Sequence, residues 1–125
     1  MKILLTLFFF LFFSTSVISN NYNYHCDLNI VYKNSGSFKW EDKYTKFTFT
    51  IYDNDILKIY DHEINLTYLD EFIISSNNPL IAIYADQFEV STIVIDIFTG
   101  QTTYSISYLD DIEHGQYAIG NCIKQ

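Results

Sequence analysis

The chain has 125 residues and a formal net charge of −8, from seven lysines against fifteen acids. That length supports one domain rather than two. With no arginine anywhere, the composition argues against nucleic acid, whose phosphates need neutralising, and against bidentate recognition of anionic groups. A surplus of acids favours a cationic partner or simple solubility instead.

Lys2 precedes an apolar run, Ile3 to Phe13, interrupted only by Thr6, and a polar stretch from Ser14 leads to Val17-Ile18-Ser19. This three-part pattern is that of a secretory signal peptide cleaved after Ser19. The apolar run falls short of the roughly 20 residues that a spanning helix needs. No cysteine stands where a lipoprotein signal requires one. The expectation is an exported chain, periplasmic or secreted and of bacterial source, without stable membrane insertion after cleavage. Residues 1–19 are the signal and residues 20–125 a single domain.

From there the hydrophobic pattern has period two, the mark of half-buried strands. Short runs at 28–33 and 56–60 flank a clear alternation of Phe47, Phe49 and Ile51 against Thr48, Thr50 and Tyr52. Ile64, Leu66 and Tyr68 alternate with Asn65 and Thr67, and 72–75 forms another short run. Leu80 to Ala85 is apolar on both faces, which predicts a strand covered twice. Ile93, Ile95 and Ile97 form one face opposite Asp96, and Tyr104, Ile106 and Tyr108 alternate with Thr103, Ser105 and Ser107. Residues 117–123 supply the last run. Turn chemistry separates the runs at Asp53-Asn54-Asp55, Asn77-Asn78-Pro79 and Thr99-Gly100-Gln101. Outside the signal only Trp40 to Tyr44 has room for a turn of helix. The expected fold is all-β: a small antiparallel barrel or sandwich meander of about eight strands.

Cys26 and Cys122 stand near the two ends of residues 20–125. In an exported protein an even pair reads as a disulfide, here one that closes nearly the whole domain.

Most acids fall at turns, and a meander sorts alternate turns to opposite ends. With a turn at Asp70-Glu71, one end collects Asp53, Asp55, Asp70, Glu71, Asp86, Glu89, Asp110, Asp111 and Glu113. If Ile64 to Ser75 is one long strand, the parity changes: the crowded end then holds Asp61, Glu63, Asp86, Glu89, Asp110, Asp111 and Glu113, against Asp53 and Asp55, and Asp70 and Glu71 fall within the strand. Asp86, Glu89, Asp110, Asp111 and Glu113 share an end in both cases and form the candidate acidic rim, able to hold a calcium ion or to steer a cationic protein. The plainer reading is that acids decorate turns because turns are wet. No calcium-loop signature is present.

His25, His62 and His114 are too scattered to predict converging zinc ligands, and His62 and Glu63 point to opposite faces of a strand. They read as surface histidines, with no metal and no cofactor expected. Ser35-Gly36-Ser37 reads as a loop rather than a nucleophile elbow, and no carboxylate pair for glycosidic chemistry can be chosen without geometry. Tyrosine is spread over almost every strand, where it suits both half-wet strands and contact surfaces. Asn65-Leu66-Thr67 fits the N-glycosylation acceptor pattern, with Glu63 at the position of the acid in the extended bacterial acceptor.

Tyr24-His25-Cys26-Asp27 followed by Asn29-Ile30-Val31-Tyr32 resembles the opening of the periplasmic C-type lysozyme inhibitors, small β-barrels that begin with an aromatic-x-Cys strand. The resemblance covers about ten residues. The family's Ser-Gly-Ser-Gly inhibitory loop has no counterpart here, and no functional residue is carried over. The resemblance implies a barrel and a basic protein partner.

The expected function is a non-enzymatic binding or accessory factor outside the cytoplasm, with a cationic or envelope protein as partner. One alternative is a lipocalin-like carrier of a small apolar ligand, which needs a cavity of some hundreds of Å³. The other is a hydrolase of envelope polymers, which needs two carboxylates or a Ser–His pair in one cleft.

Overall fold

A computed structural model describes residues 20–34, 37–111 and 114–125, with the backbone alone for 31–34 and 37–43. The signal peptide expected over residues 1–19 lies outside the described residues. Among them, nine strands form one antiparallel sheet: β1 (Asn21–Asn34), β2 (Ser37–Tyr52), β3 (Ile56–Asp61), β4 (Leu66–Thr67), β5 (Phe72–Asn77), β6 (Leu80–Ala85), β7 (Glu89–Ile95), β8 (Gln101–Tyr108) and β9 (Gly115–Lys124). Leaving β4 aside, each strand pairs with its sequence neighbours, and β1 pairs with β9. The sheet therefore closes into an eight-stranded up-and-down barrel, which leaves no long free edge. The short β4 pairs only with the end of β3, at Tyr60↔Thr67 and Asp61↔Leu66.

Period-two alternation decides which side chains enter the barrel. Phe49 and Ile51 of β2, Leu57 and Ile59 of β3, Leu80 of β6 and Ile93 and Ile95 of β7 are fully buried and fill one half of the interior. At about 1.5–3 kcal/mol for each such side chain removed from water, this layer is the main source of cohesion. The same strands carry polar residues inward in the other half: Thr45, Asp61 and Ser91 are all buried.

Cys26 and Cys122 face each other directly in the β1–β9 register and are bonded, closing the seam between the two ends of the domain. Their Cα atoms are 4.0 Å apart. At this seam the backbones of β1 and β9 approach so closely at Gly120 that a Cβ there would overlap the carbonyl oxygen of Asp27.

The turns follow the expected chemistry. Asp53 and Asn54 take left-handed φ values of 51° and 59°, which short polar side chains tolerate. Asn78-Pro79, with a cis peptide bond, joins β5 to β6. Gly100 has φ 80°, and its amide donates to the Asp96 carbonyl at 2.7 Å.

Four local expectations are corrected. β6 is not covered twice, since Ile83 is exposed; a small barrel has one interior, and its outer face meets water. Ile97 does not continue the face of Ile93 and Ile95, because β7 ends at Ile95 and Asp96 starts the turn. Ile64 and Tyr68 belong to no strand, and only Leu66 and Thr67 pair. Residues 40–44 are extended within β2 and not a turn of helix. There the β1–β2 register shifts between Asn29 and Val31, and the unequal spacing of a bulge disturbs the alternation.

Candidate functional site

Residues 62–71, 86–88, 109–111 and 114 lie at one end of the barrel; 53–55, 78–79, 96–100, Asn20 and Gln125 lie at the other. The segment from β3 to β5 stays at one end because β4 only folds back on β3. Asp61, Glu63, Asp70, Glu71, Asp86, Glu89, Asp110 and Asp111 are thus brought to one end, and Asp53 and Asp55 to the other. The sorting that puts Asp53 and Asp55 at the crowded end is not the one found. Glu113 lies outside the described residues.

These acids do different work. Asp86 accepts from the amides of Phe88 and Glu89 at 2.7 and 2.9 Å, and from the Tyr84 hydroxyl at 2.8 Å. Asp96 accepts from the amides of Phe98 and Thr99 at 2.9 and 3.2 Å. Asp61, buried, accepts from the amides of Glu63 and Ile64 and from the Tyr68 hydroxyl. All three are turn-building aspartates, present because a short carboxylate satisfies amides that the ladder cannot. Asp111 contacts the His114 ring at 2.7 Å.

The backbone amides hold the Asp86 and Asp96 carboxyls below the ordinary range, and the Tyr84 hydroxyl adds to this at Asp86. A carboxyl with a depressed folded pKa stabilises the fold above its unfolded pKa, near 3.8, and that contribution is lost as pH falls through the folded value. The melting temperature is therefore expected to fall on acidification below that point. In an Asp86→Asn/Asp96→Asn variant, which keeps at each site one oxygen to accept the turn amides, the slope of melting temperature against pH flattens.

Glu63, Asp70 and Glu89 face inward with buried Asp61, around a cavity of about 540 Å³ that opens at this end of the barrel. Its floor is aromatic. Tyr104 meets Phe47 and Phe72 edge-on, with ring centroids 6.4 and 6.1 Å apart. Thr45 donates to Glu63 at 3.3 Å. Among the described lining residues there is no lysine, and Asp70 and Asp86 bear on Glu89 as like charges. Glu89 shows the consequence: desolvation first, then the charges of Asp86 and Asp70, raise its carboxyl above the usual range. Burial, with the neighbouring acids and tyrosines, likewise raises the Tyr104 hydroxyl. The mouth is fringed by exposed apolar side chains on the connecting segments, among them Ile64, Leu66, Phe88, Leu109 and the 96 % exposed Leu69. The amide of Leu109 bonds the carbonyl of Phe88 at 2.8 Å, tying two of these segments together.

Of the rim residues read from the sequence, Glu89 lines the cavity, Asp86 builds a turn beside it, and Asp110 and Asp111 lie on the outer connection. The deeper members, Asp61, Glu63 and Asp70, were legible only as turn acids whose end depended on an unresolved parity. Buried Thr45 and Ser91 gave a weak signal, as polar interruptions of apolar alternation.

The histidines are less scattered than their spacing implies. On the outer face the Thr48 hydroxyl lies 3.2 Å from His25 Nδ1 and 2.7 Å from His62 Nε2. Among the described residues, no three His, Cys, Asp or Glu side chains converge as metal ligands. Asn65 is exposed in a turn with φ 54°, and the Tyr60 hydroxyl donates to its side-chain oxygen. The tyrosines share no single outward face: Tyr24 and Tyr104 are buried, whereas Tyr44, Tyr52 and Tyr108 are exposed.

No protein-family model, no curated protein and no solved structure matches the chain; the acidic cup, an aromatic-floored cavity in one end of a disulfide-closed barrel, therefore has to be interpreted from its own chemistry.

Proposed function

We propose that this is a non-enzymatic exported binding protein that receives a basic side chain of a protein partner in the mouth of its barrel. The observation that carries this reading is the half-desolvated, aromatic-floored cavity that Asp61, Asp70 and Glu89 line together, where burial and neighbouring acids raise the Glu89 carboxyl. An entering ammonium or guanidinium relieves their mutual repulsion, and its alkyl stem lies on the floor of Phe47, Phe72 and Tyr104. The apolar fringe at Leu69, Phe88 and Leu109 supplies the contact area that excludes water around such a central charge. A net charge of −8 adds long-range steering. The disulfide is compatible with export to an oxidising compartment. A carrier of a purely apolar ligand is less well supported, because the apolar half of the interior is filled and the open half is acidic.

Affinity is expected to fall as salt rises, and as pH falls through the raised pKa of Glu89, where protons compete with the cation. The test is retention of partners from an envelope extract by wild-type protein and by a Glu63→Gln/Glu89→Gln variant. Each charge-assisted contact is worth about 1.5–3 kcal/mol, so the variant is expected to lose at least tenfold in affinity for a basic partner retained by the wild type. Absence of any specific partner, or equal retention by the variant, defeats the proposal.

A second reading is favoured by one observation. Glu89, with its raised pKa, shares a cleft with other carboxylates, the acid–base asymmetry that glycosidic hydrolysis uses. Turnover of envelope polysaccharide that disappears in Glu89→Gln would establish it over the binding reading.

A further inference from the structure

The outer wall of the barrel carries a second concavity, chemically unlike the cup. Strand register places Tyr44, Asn29, Ile119, Thr103 and Val94 in one row across β2, β1, β9, β8 and β7, each directly opposite the next. All five line a groove of about 750 Å³, which continues to Phe98 in the β7–β8 turn. Four inter-strand steps of about 4.8 Å make the row roughly 19 Å long, the dimension of an extended oligomer.

The groove presents amides and hydroxyls rather than charges. Asn29, Asn78, Gln101, Thr103 and Asn121 line it, and among the described residues no lysine does. The carboxylate among the described lining residues, Asp96, already accepts two backbone amides. At its ends stand two exposed aromatic rings, Tyr44 and Phe98. Within the row, the Asn29 side-chain oxygen is buried and has no hydrogen-bond partner among the described residues. A buried acceptor without a partner is unfavourable, and such groups in native proteins call for an explanation. That oxygen has no solvent surface and is a cost held within the groove's wall; the polar groups offered to a ligand are those of Asn78, Gln101, Thr103 and Asn121.

From this combination we infer that the groove is a binding site for an uncharged oligosaccharide. Sugar hydroxyls donate to and accept from planar amides and threonine hydroxyls, and the apolar faces of the rings stack on exposed aromatics. An anionic ligand finds no cation among the described residues of the groove, and a peptide strand finds no sheet edge, since all five strands are paired on both sides. The site is independent of the cup, which opens at the end of the barrel and shares no described lining residue with the groove.

The experiment is an amide chemical-shift titration of isotopically labelled protein with maltotetraose, cellotetraose and chitotetraose at millimolar concentrations. Perturbations at Asn29, Thr103, Ile119 and Asn121 are expected with at least one of the three. Asn121→Ala, at an exposed side chain that lines the groove, is expected to weaken that binding at least tenfold with little change in melting temperature. Phe98→Ala, at an 82 % exposed side chain outside the core, provides a second variant and is expected to weaken binding too. No perturbation with any of the three sugars overturns the inference. So do perturbations confined to the cup, or binding that both variants leave intact.

Discussion

Removing the Cys26–Cys122 bond, by reduction or by Cys26→Ala/Cys122→Ala, is expected to lower the stability of the barrel by about 4–5 kcal/mol. The bond links residues 96 apart in sequence, so the unfolded chain regains the freedom of nearly the whole domain when it is broken. In a domain of this size, net stability is about 5–15 kcal/mol, and the melting temperature is expected to drop by roughly 20 °C. Both sulfurs are buried in the core beside Leu28 and Ala118, so the alanine variant also leaves a small cavity that adds to the loss. Calorimetry of the oxidised protein, the reduced protein and the double variant checks this. A shift of only a few degrees would show that β1–β9 pairing alone holds the seam.

The largest effect of a single substitution is expected at Gly120. Its would-be Cβ overlaps the Asp27 carbonyl oxygen and lies 3.0 Å from Leu28 Cα. These are backbone atoms of the paired strand, which cannot swing aside as a side-chain tip can. Gly120→Val therefore pushes β9 away from β1 at the point where the sheet closes. The register around Leu28↔Gly120 and Cys26↔Cys122 is then expected to fail, with a loss of more than about 3 kcal/mol, the range of severe overpacking. Near-ultraviolet circular dichroism and the melting temperature report it: a native spectrum with unchanged stability would mean that the seam can open without harm. Gly100→Ala offers a smaller contrast, because there left-handed backbone and the Cys122 carbonyl both oppose a Cβ, at a turn rather than in the seam.

These two sites explain why the cup and the outer groove depend on one closure. The cup is lined by strands on both sides of the β1–β9 seam, through Ile30 and Ala118, and the groove crosses it at Asn29↔Ile119. A variant that springs the seam is expected to lose both, whereas Glu89→Gln and Asn121→Ala each leave the other site intact.

Much of the cup was partly legible. Glu89, Asp86, Asp110 and Asp111 were assigned to one end because each follows or precedes a strand whose alternation is unmistakable. The assignment was ambiguous for Asp61, Glu63 and Asp70, because Ile64, Leu66 and Tyr68 imitate strand periodicity. In the structure only Leu66 and Thr67 pair, the segment folds back on β3, Ile64 and Leu66 stay exposed, and Tyr68 turns onto the core to bond Asp61. Period two records what a strand could bury, not whether a partner strand is there to bury it. The same limit explains Ile97 and Ile83, whose apolar side chains follow the pattern yet remain exposed.

By itself, then, the chain's pattern of apolar and polar residues determined an all-β domain of short strands, its turns at Asp53-Asn54 and Gly100, and the pairing of its two cysteines. Those features are local, or forced by there being one partner available. Tertiary structure alone decided that the sheet closes as a barrel, that polar Thr45, Asp61 and Ser91 cluster in one half of it, and that Tyr44, Asn29, Ile119, Thr103 and Val94 fall in one row. Register between strands is a property of the closed sheet, and a position in sequence carries no record of which residue will stand across from it.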